Sequence, residues 1–244
     1  MSTSSDIGGF SFFALVMDSC VVKVEVMAGL VPNRLLFRFE IPVRYRRSPV
    51  IDGDLSDWGD EFLLPDLGKL EGRKAFGKVW LAWNETGLFV ACRVAGRKGP
   101  FQCDPRQFWK GDNLRLMTDM RDTRDLKRAS RYCQQFWFLP SGGGKDGRQP
   151  IAGAAPVNRA TEDAPLPQRE AIEVAGACKG GVYTIEAHIP AEALSGFDPA
   201  EHRRIGIGYM LEDRDLGQQY LTVGDDLYWF VDPSTWATAV LTRD

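Results

Sequence analysis

The sequence predicts an all-β fold, an antiparallel β-sandwich with few short helices. Three observations carry this: alternation of period two in segment after segment, enrichment of those segments in β-branched and aromatic residues, and turn residues between them. LLFRFEIPV (35–43) sets Leu35, Phe37, Phe39 and Ile41 against Leu36, Arg38 and Glu40. GKVWLAW (77–83) places Val79, Leu81 and Trp83 on one face, and GLFVACRV (87–94) places Leu88, Val90, Cys92 and Val94 on one face. Between them NETG (84–87) reads as a short hairpin link. DNLRLMTD (112–119), QQFWFLP (134–140), GVYTIEAHIP (181–190), RIGIGYML (204–211) and WATAVL (236–241) continue the series. Helical signal is confined to PAEAL (190–194), where Pro190 suits a first turn.

Two stretches depart from this pattern. Residues 1–33 carry no sustained alternation and are expected to form a poorly ordered extension, with the sandwich spanning 34–244. Within the extension FSFFALVM (10–17) has the length of a signal core, but no Lys or Arg precedes it and Asp18 follows, which makes a poor signal peptide. Residues 141–170, rich in Gly, Pro and Ala, are expected to form a mobile loop or a functional cover inside the one domain.

Composition narrows the function classes. The 244 residues are 44% hydrophobic and 26% charged with net charge −3, a globular balance without the basic excess that nucleic-acid binding needs. No apolar run reaches the ~18 to 20 residues of a membrane span. The five cysteines (Cys20, Cys92, Cys103, Cys133, Cys178) are scattered without CxxC spacing, which suggests free thiols and a reducing compartment. Charge is uneven: residues 106–131 hold eight Lys/Arg against four Asp, and residues 211–232 hold six Asp/Glu against one Arg. Two solvated loops lying side by side explain this; a charged rim around a ligand is the sharper reading.

VIDGDLSDWGD (50–60) lacks the glycine and glutamate positions of an EF-hand, so Asp52-Gly53 is read as a turn, Asp54 as a cap and Trp58 as a core residue. A looser calcium site on Asp52, Asp54 or Asp57 stays open. His188 and Glu186 share a strand face and form the only acid–base pair of note; a satisfied histidine is the commoner outcome. With His202 the only other histidine, no zinc spacing exists. Cys133 reads as a buried strand cysteine. Seven tryptophans and fourteen phenylalanines are more than a core of this size needs. Trp109 before a strand, and YWFVDPSTW (228–236) before the last one, offer flat rings on which a sugar can stack.

Taken in order, VIDGDLSDWGD, VWLAWNETGLFVACRV, FWKGDNLRLMTD, GVYTIEAHIP, RIGIGYMLEDRDLG and DPSTWATAVL resemble the family 9 carbohydrate-binding modules and the wider DOMON-like β-sandwiches, over roughly residues 48–241. The resemblance implies non-catalytic binding of an oligo- or polysaccharide, linked to carbohydrate catabolism, with structural calcium known in the family. It implies an extracytoplasmic setting, against the cysteine usage, so the compartment stays open. By motif position the two clamp rings fall on Trp109 and on Phe230 or Trp229. The glutamate, arginine and glutamine that the family uses fall on Arg115, Trp137 and near Met210, so the polar half departs from the pattern. The alternatives are an anionic ligand held by Arg115 and the basic 121–131 loop, and a protein-interaction sandwich with a degenerate sugar site that meets a partner through its charged loops.

Overall fold

The structure is a computed structural model that describes residues 38–243, together with the backbone of two strands, β1 (Ser11–Met17) and β2 (Cys20–Val26). These two pair as an antiparallel hairpin. The rest of the expected extension, and the start of the first alternating segment at residues 34–37, lie outside the described residues.

Twelve further strands follow: β3 (Glu40–Tyr45), β4 (Gly77–Asn84), β5 (Gly87–Ala95), β6 (Asn113–Asp119), β7 (Cys133–Gly143), β8 (Gln149–Ala155), β9 (Glu173–Ala175), β10 (Cys178–Lys179), β11 (Val182–Pro190), β12 (Arg204–Asp213), β13 (Gly217–Tyr220) and β14 (Ala237–Thr242). They form one folded sheet in the order β10-β11-β5-β4-β3-β14-β12-β6-β7-β8, with β13 added to β12 and β9 to β11. Pairing is antiparallel except at β3, which runs parallel to both β14 and β4. Because β8 also lies against β9, the two ends approach each other and the sandwich is nearly closed. Among the described residues the helical elements are all short 3-10 turns; PAEAL contributes one at Ala191–Ala193, with Pro190 at its N-cap.

Alternation decides which side chains meet inside. Val79, Leu81, Leu88, Val90, Cys92, Leu114, Leu116, Phe136, Phe138, Ile185, Ile207 and Leu211 form the central core, as their spacing predicts. Two smaller clusters cover the outer faces. On one layer Trp58 and Phe89 pack with Trp80, Ala82 and Ala91. On the other, Met117, Met210, Trp229 and Trp236 pack with Val157 and Val223.

The expected loop at 141–170 is in part a strand. Its residues Gln149–Ala155 are β8, paired with β7. At Gly153 a side chain is excluded for a steric reason: a Cβ there would lie 2.3 Å from Trp137 Cζ2. The strand is written largely in small residues, and its alternation is invisible.

Candidate functional site

On the outer face of β6, the side chains opposite Leu114 and Leu116 are Asn113, Arg115 and Met117. Register brings Arg115 beside Met210 of β12 and Trp137 of β7, while Glu212 meets Asn113 on one side and Gln218 of β13 on the other. Five strands, β8-β7-β6-β12-β13, thus present one continuous outer face, and loops close over it from both ends. Between the loops lies a cavity of about 600 Å³ lined by Phe108, Trp109, Arg115, Gln135, Asn158, Glu212, Gln218, Asp225 and Phe230, among others.

One wall is a turn set by carboxylates. Asp104 Oδ1 accepts from Arg106 N at 2.9 Å and caps the 3-10 turn Pro105–Gln107. Asp112, fully buried, accepts from Gln102 N (2.7 Å), Arg214 N (2.8 Å) and the Arg97 guanidinium (3.0 Å), tying this turn to the β12–β13 hairpin. Phe108 then stacks on Trp137 (5.3 Å between centroids, 11° between planes) and meets Trp109 edge-on (5.2 Å, 90°). Trp109 is 47% exposed, so much of its indole is offered to solvent.

The facing wall is the segment Asp225–Trp236. Trp236 donates its indole N–H to Trp229 O at 2.7 Å, and Trp229 donates its own to Asp225 Oδ1 at 2.8 Å. Phe230 lies edge-on to Trp229 at 6.1 Å and lines the cavity, whereas Trp229 itself is 1% exposed.

Behind the cavity Arg115 stacks over Trp229 at 4.9 Å. Its Nε donates to Asn113 Oδ1 (3.2 Å), and its Nη2 lies 3.6 Å from Met210 sulfur and 3.8 Å from Glu212 Oε2. Burial lowers the Arg115 pKa, and Glu212 and Asp225 counter that fall. Burial likewise raises the Glu212 carboxyl above the usual carboxylate range, against the pull of Arg115.

The sequence-derived residues separate accordingly. Trp109, Arg115 and Phe230 line one cavity. Of the two candidates for the second ring it is Phe230 that lines it; Trp229 is sealed underneath by Arg115 and Trp236. Trp137 is also buried, as a support for Phe108 rather than part of the lining. The polar residues Gln135, Asn158, Glu212, Gln218 and Asp225 went unread. For three of the cavity residues the signal was the second face of successive strands: Arg115, Gln135 and Glu212 sit next in sequence to the core residues Leu114, Phe136 and Leu211.

The charged loops have other occupations. Arg121 donates to Gly196 O (2.7 Å) and covers Tyr132, and Arg124 holds Trp236 O and Asp122. None of Arg121, Arg124, Lys127, Arg128 or Arg131 lines the cavity, and Arg115 is already engaged by Glu212. The basic loop therefore does not join Arg115 in lining this cavity.

The other motifs resolve structurally. In the leading turn Gly53 has φ +83°, Asp52 Oδ1 accepts from Asp54 N (2.8 Å), Asp54 Oδ1 accepts from Ser56 N (2.9 Å), and Asp57 is held by Arg46. With these bonds made and a guanidinium among them, the residues do not fit a calcium ion. Among the described residues no cluster of three metal-ligating side chains occurs. Trp58 is buried and donates to Glu186 Oε1 at 2.7 Å; Glu186 Oε2 accepts from Asp52 N and Gly53 N at 3.1 and 3.0 Å. His188 stacks on Phe89 (4.4 Å) and contacts Thr86. The candidate acid–base pair is thus a core anchor and a packed ring, and does not share a cleft. Cys92, Cys103, Cys133 and Cys178 are free; burial pushes the Cys133 thiol up to about 11, so it is no thiolate nucleophile.

No family profile and no curated protein matches the sequence. Solved structures do. A family 9 carbohydrate-binding module from Caldicellulosiruptor kristjanssonii in complex with cellotriose superposes with a TM-score of 0.60 at 15% identity, covering 84% of this chain and 95% of that one. The same organism's module in complex with glucose gives 0.60 at 14% identity, over 84% and 97%. A Bacteroides uniformis protein gives 0.55 at 10% identity, over 84% and 100%. The chain therefore has the fold of the family 9 carbohydrate-binding modules.

Proposed function

We propose that the protein binds carbohydrate without catalysis, in the cavity between Trp109 and Phe230. A single observation carries the reading: a half-exposed indole and a phenyl ring, 121 residues apart in sequence, line one cavity together with the polar side chains of Arg115, Gln135, Asn158, Glu212, Gln218 and Asp225. Sugars offer that combination of surfaces, with apolar C–H faces for the rings and a rim of hydroxyls for amide and carboxylate groups. The neighbours of the same fold that hold cellotriose and glucose support it. Their identity of 14–15% leaves the ligand of this chain to its own side chains.

The test is Trp109→Ala on a glycan array, followed by calorimetry on any saccharide that the unchanged protein retains. Losing a stacked ring weakens binding by roughly tenfold or more. Unchanged binding of every saccharide would refute the site.

A further inference from the structure

We propose that the cavity selects an amino sugar, a pyranose bearing a protonated amine, over the neutral sugar of the same linkage and over acidic sugars; this rests on the carbohydrate-binding reading above. The charges at the cavity are unequal. One arginine, Arg115, faces two carboxylates, Glu212 and Asp225, and no other Lys or Arg belongs to the lining. Arg115 is only 7% exposed and is committed at its back to Trp229, Asn113, Met210 and Glu212. Its charge answers that of Glu212. Asp225 remains: one of its oxygens takes the Trp229 indole N–H at 2.8 Å, and among the described residues no cation forms an ion pair with it.

The hydrogen-bonding character points the same way. Carboxylates only accept, while the amides of Gln135, Asn158 and Gln218 both donate and accept, so the lining is rich in acceptors for a ligand that brings donors. An ammonium group brings three donors and a positive charge. The rings of Phe108, Trp109 and Phe230 add π surfaces that favour a cation as well as a sugar face. A uronate would instead set its carboxylate against Asp225 and Glu212, an unpaired like charge that excludes it.

Calorimetry of the full chain at about pH 6, where a sugar amine is protonated, decides the matter with three probes: cellotriose, the glucosamine trisaccharide of the same linkage, and a uronate trisaccharide. The glucosamine compound is expected to bind roughly five- to tenfold tighter than cellotriose, with the uronate weakest. Asp225→Asn keeps an acceptor for Trp229 and is expected to abolish that advantage, read as the ratio of the glucosamine to the cellotriose affinity, with a cooperative urea transition showing that the variant folds. Asp60→Asn, an exposed carboxylate on Lys78, controls for attraction to the protein's net negative charge and should leave the advantage intact. Equal affinity for the two trisaccharides, an advantage that survives Asp225→Asn, or tighter binding of the uronate overturns the amino-sugar selection and leaves the sugar site standing. If no trisaccharide binds at all, the carbohydrate reading falls with it.

Discussion

The two outer faces of the sandwich are built from the same three kinds of side chain and end differently. Under the leading turn, Arg46 lies 4.2 Å over Trp58, whose indole N–H is held by Glu186. Under the cavity, Arg115 lies 4.9 Å over Trp229, whose indole N–H is held by Asp225. Tryptophan, arginine and carboxylate form a triad in each. At the first, Phe62 and the turn backbone close over the triad and Glu186 is fully buried, with both oxygens occupied. At the second, the covering loops part and leave Trp109 half in solvent. A triad alone is therefore scaffolding. What converts one into a candidate site is an unfilled space in front of it and a polar group whose valence the fold leaves incomplete.

The largest expected effect tests the closed triad. Glu186→Ala leaves the Trp58 indole and the Asp52 and Gly53 amides without their acceptor and takes from Arg46 its second carboxylate, 3.8 Å away, leaving it only Asp57. Removing one member of such a buried set is expected to cost about 3–5 kcal/mol of stability in urea unfolding. Saccharide affinity of the folded fraction should be unchanged. A loss under ~1 kcal/mol would show that the leading turn is not an anchor, and loss of affinity alone would merge the two regions.

A matched pair of substitutions sharpens the contrast. Trp58→Phe removes the N–H from Glu186, which has no water to replace it, and is expected to cost about 2–3 kcal/mol. Trp229→Phe makes the same deletion at Asp225, which borders the cavity and can be rehydrated, so about 1 kcal/mol is expected. Denaturation midpoints of the two variants compare them directly. Equal losses would mean that Asp225 is as sealed as Glu186 and is no ligand group.

This contrast also explains how much could be read in advance. Alternation in 77–83, 87–94, 112–119, 181–190 and 204–211 was legible because one face of each strand is largely apolar. β8 was not, since Gly153 yields its place to Trp137, and β13 (GQQY) was not, since an edge strand of four residues over a cavity needs no apolar face. At the site, Trp109 and Phe230 could be chosen by motif position. The choice between Phe230 and its neighbour Trp229 could not, because it turns on which ring Arg115 covers. Glu212 and Gln218 come to the Arg115 side of the cavity only through the register of β6, β12 and β13, a relation between strands that no single strand records, and Asp225 comes there through the 3-10 turn Asp225–Leu227.

The smallest effect concerns protons. Burial is the largest influence on Glu212 and raises its carboxyl above the ordinary value of 4.5, while Arg115 and the side chains of Asn113 and Gln218 restrain the rise. The sign follows from linkage: below 4.5 the carboxyl is protonated in folded and unfolded chains alike. As pH climbs through the folded value, the unfolded chain ionises more readily, so this group's contribution to stability is lost with rising pH. Glu186 is raised for the same first reason, but its carboxylate is held by three donors, so the two are separable by substitution. Glu212→Gln should flatten the fall in stability over the pH range just above 4.5, read as the difference between urea midpoints of variant and parent. A bound glucosamine trisaccharide should reverse the parent's slope in that window, because an ammonium placed at the carboxylates favours their ionised forms. A slope that ignores both the substitution and the ligand would mean that Glu212 titrates as an ordinary surface acid, and the open triad would lose its claim to differ electrostatically from the closed one.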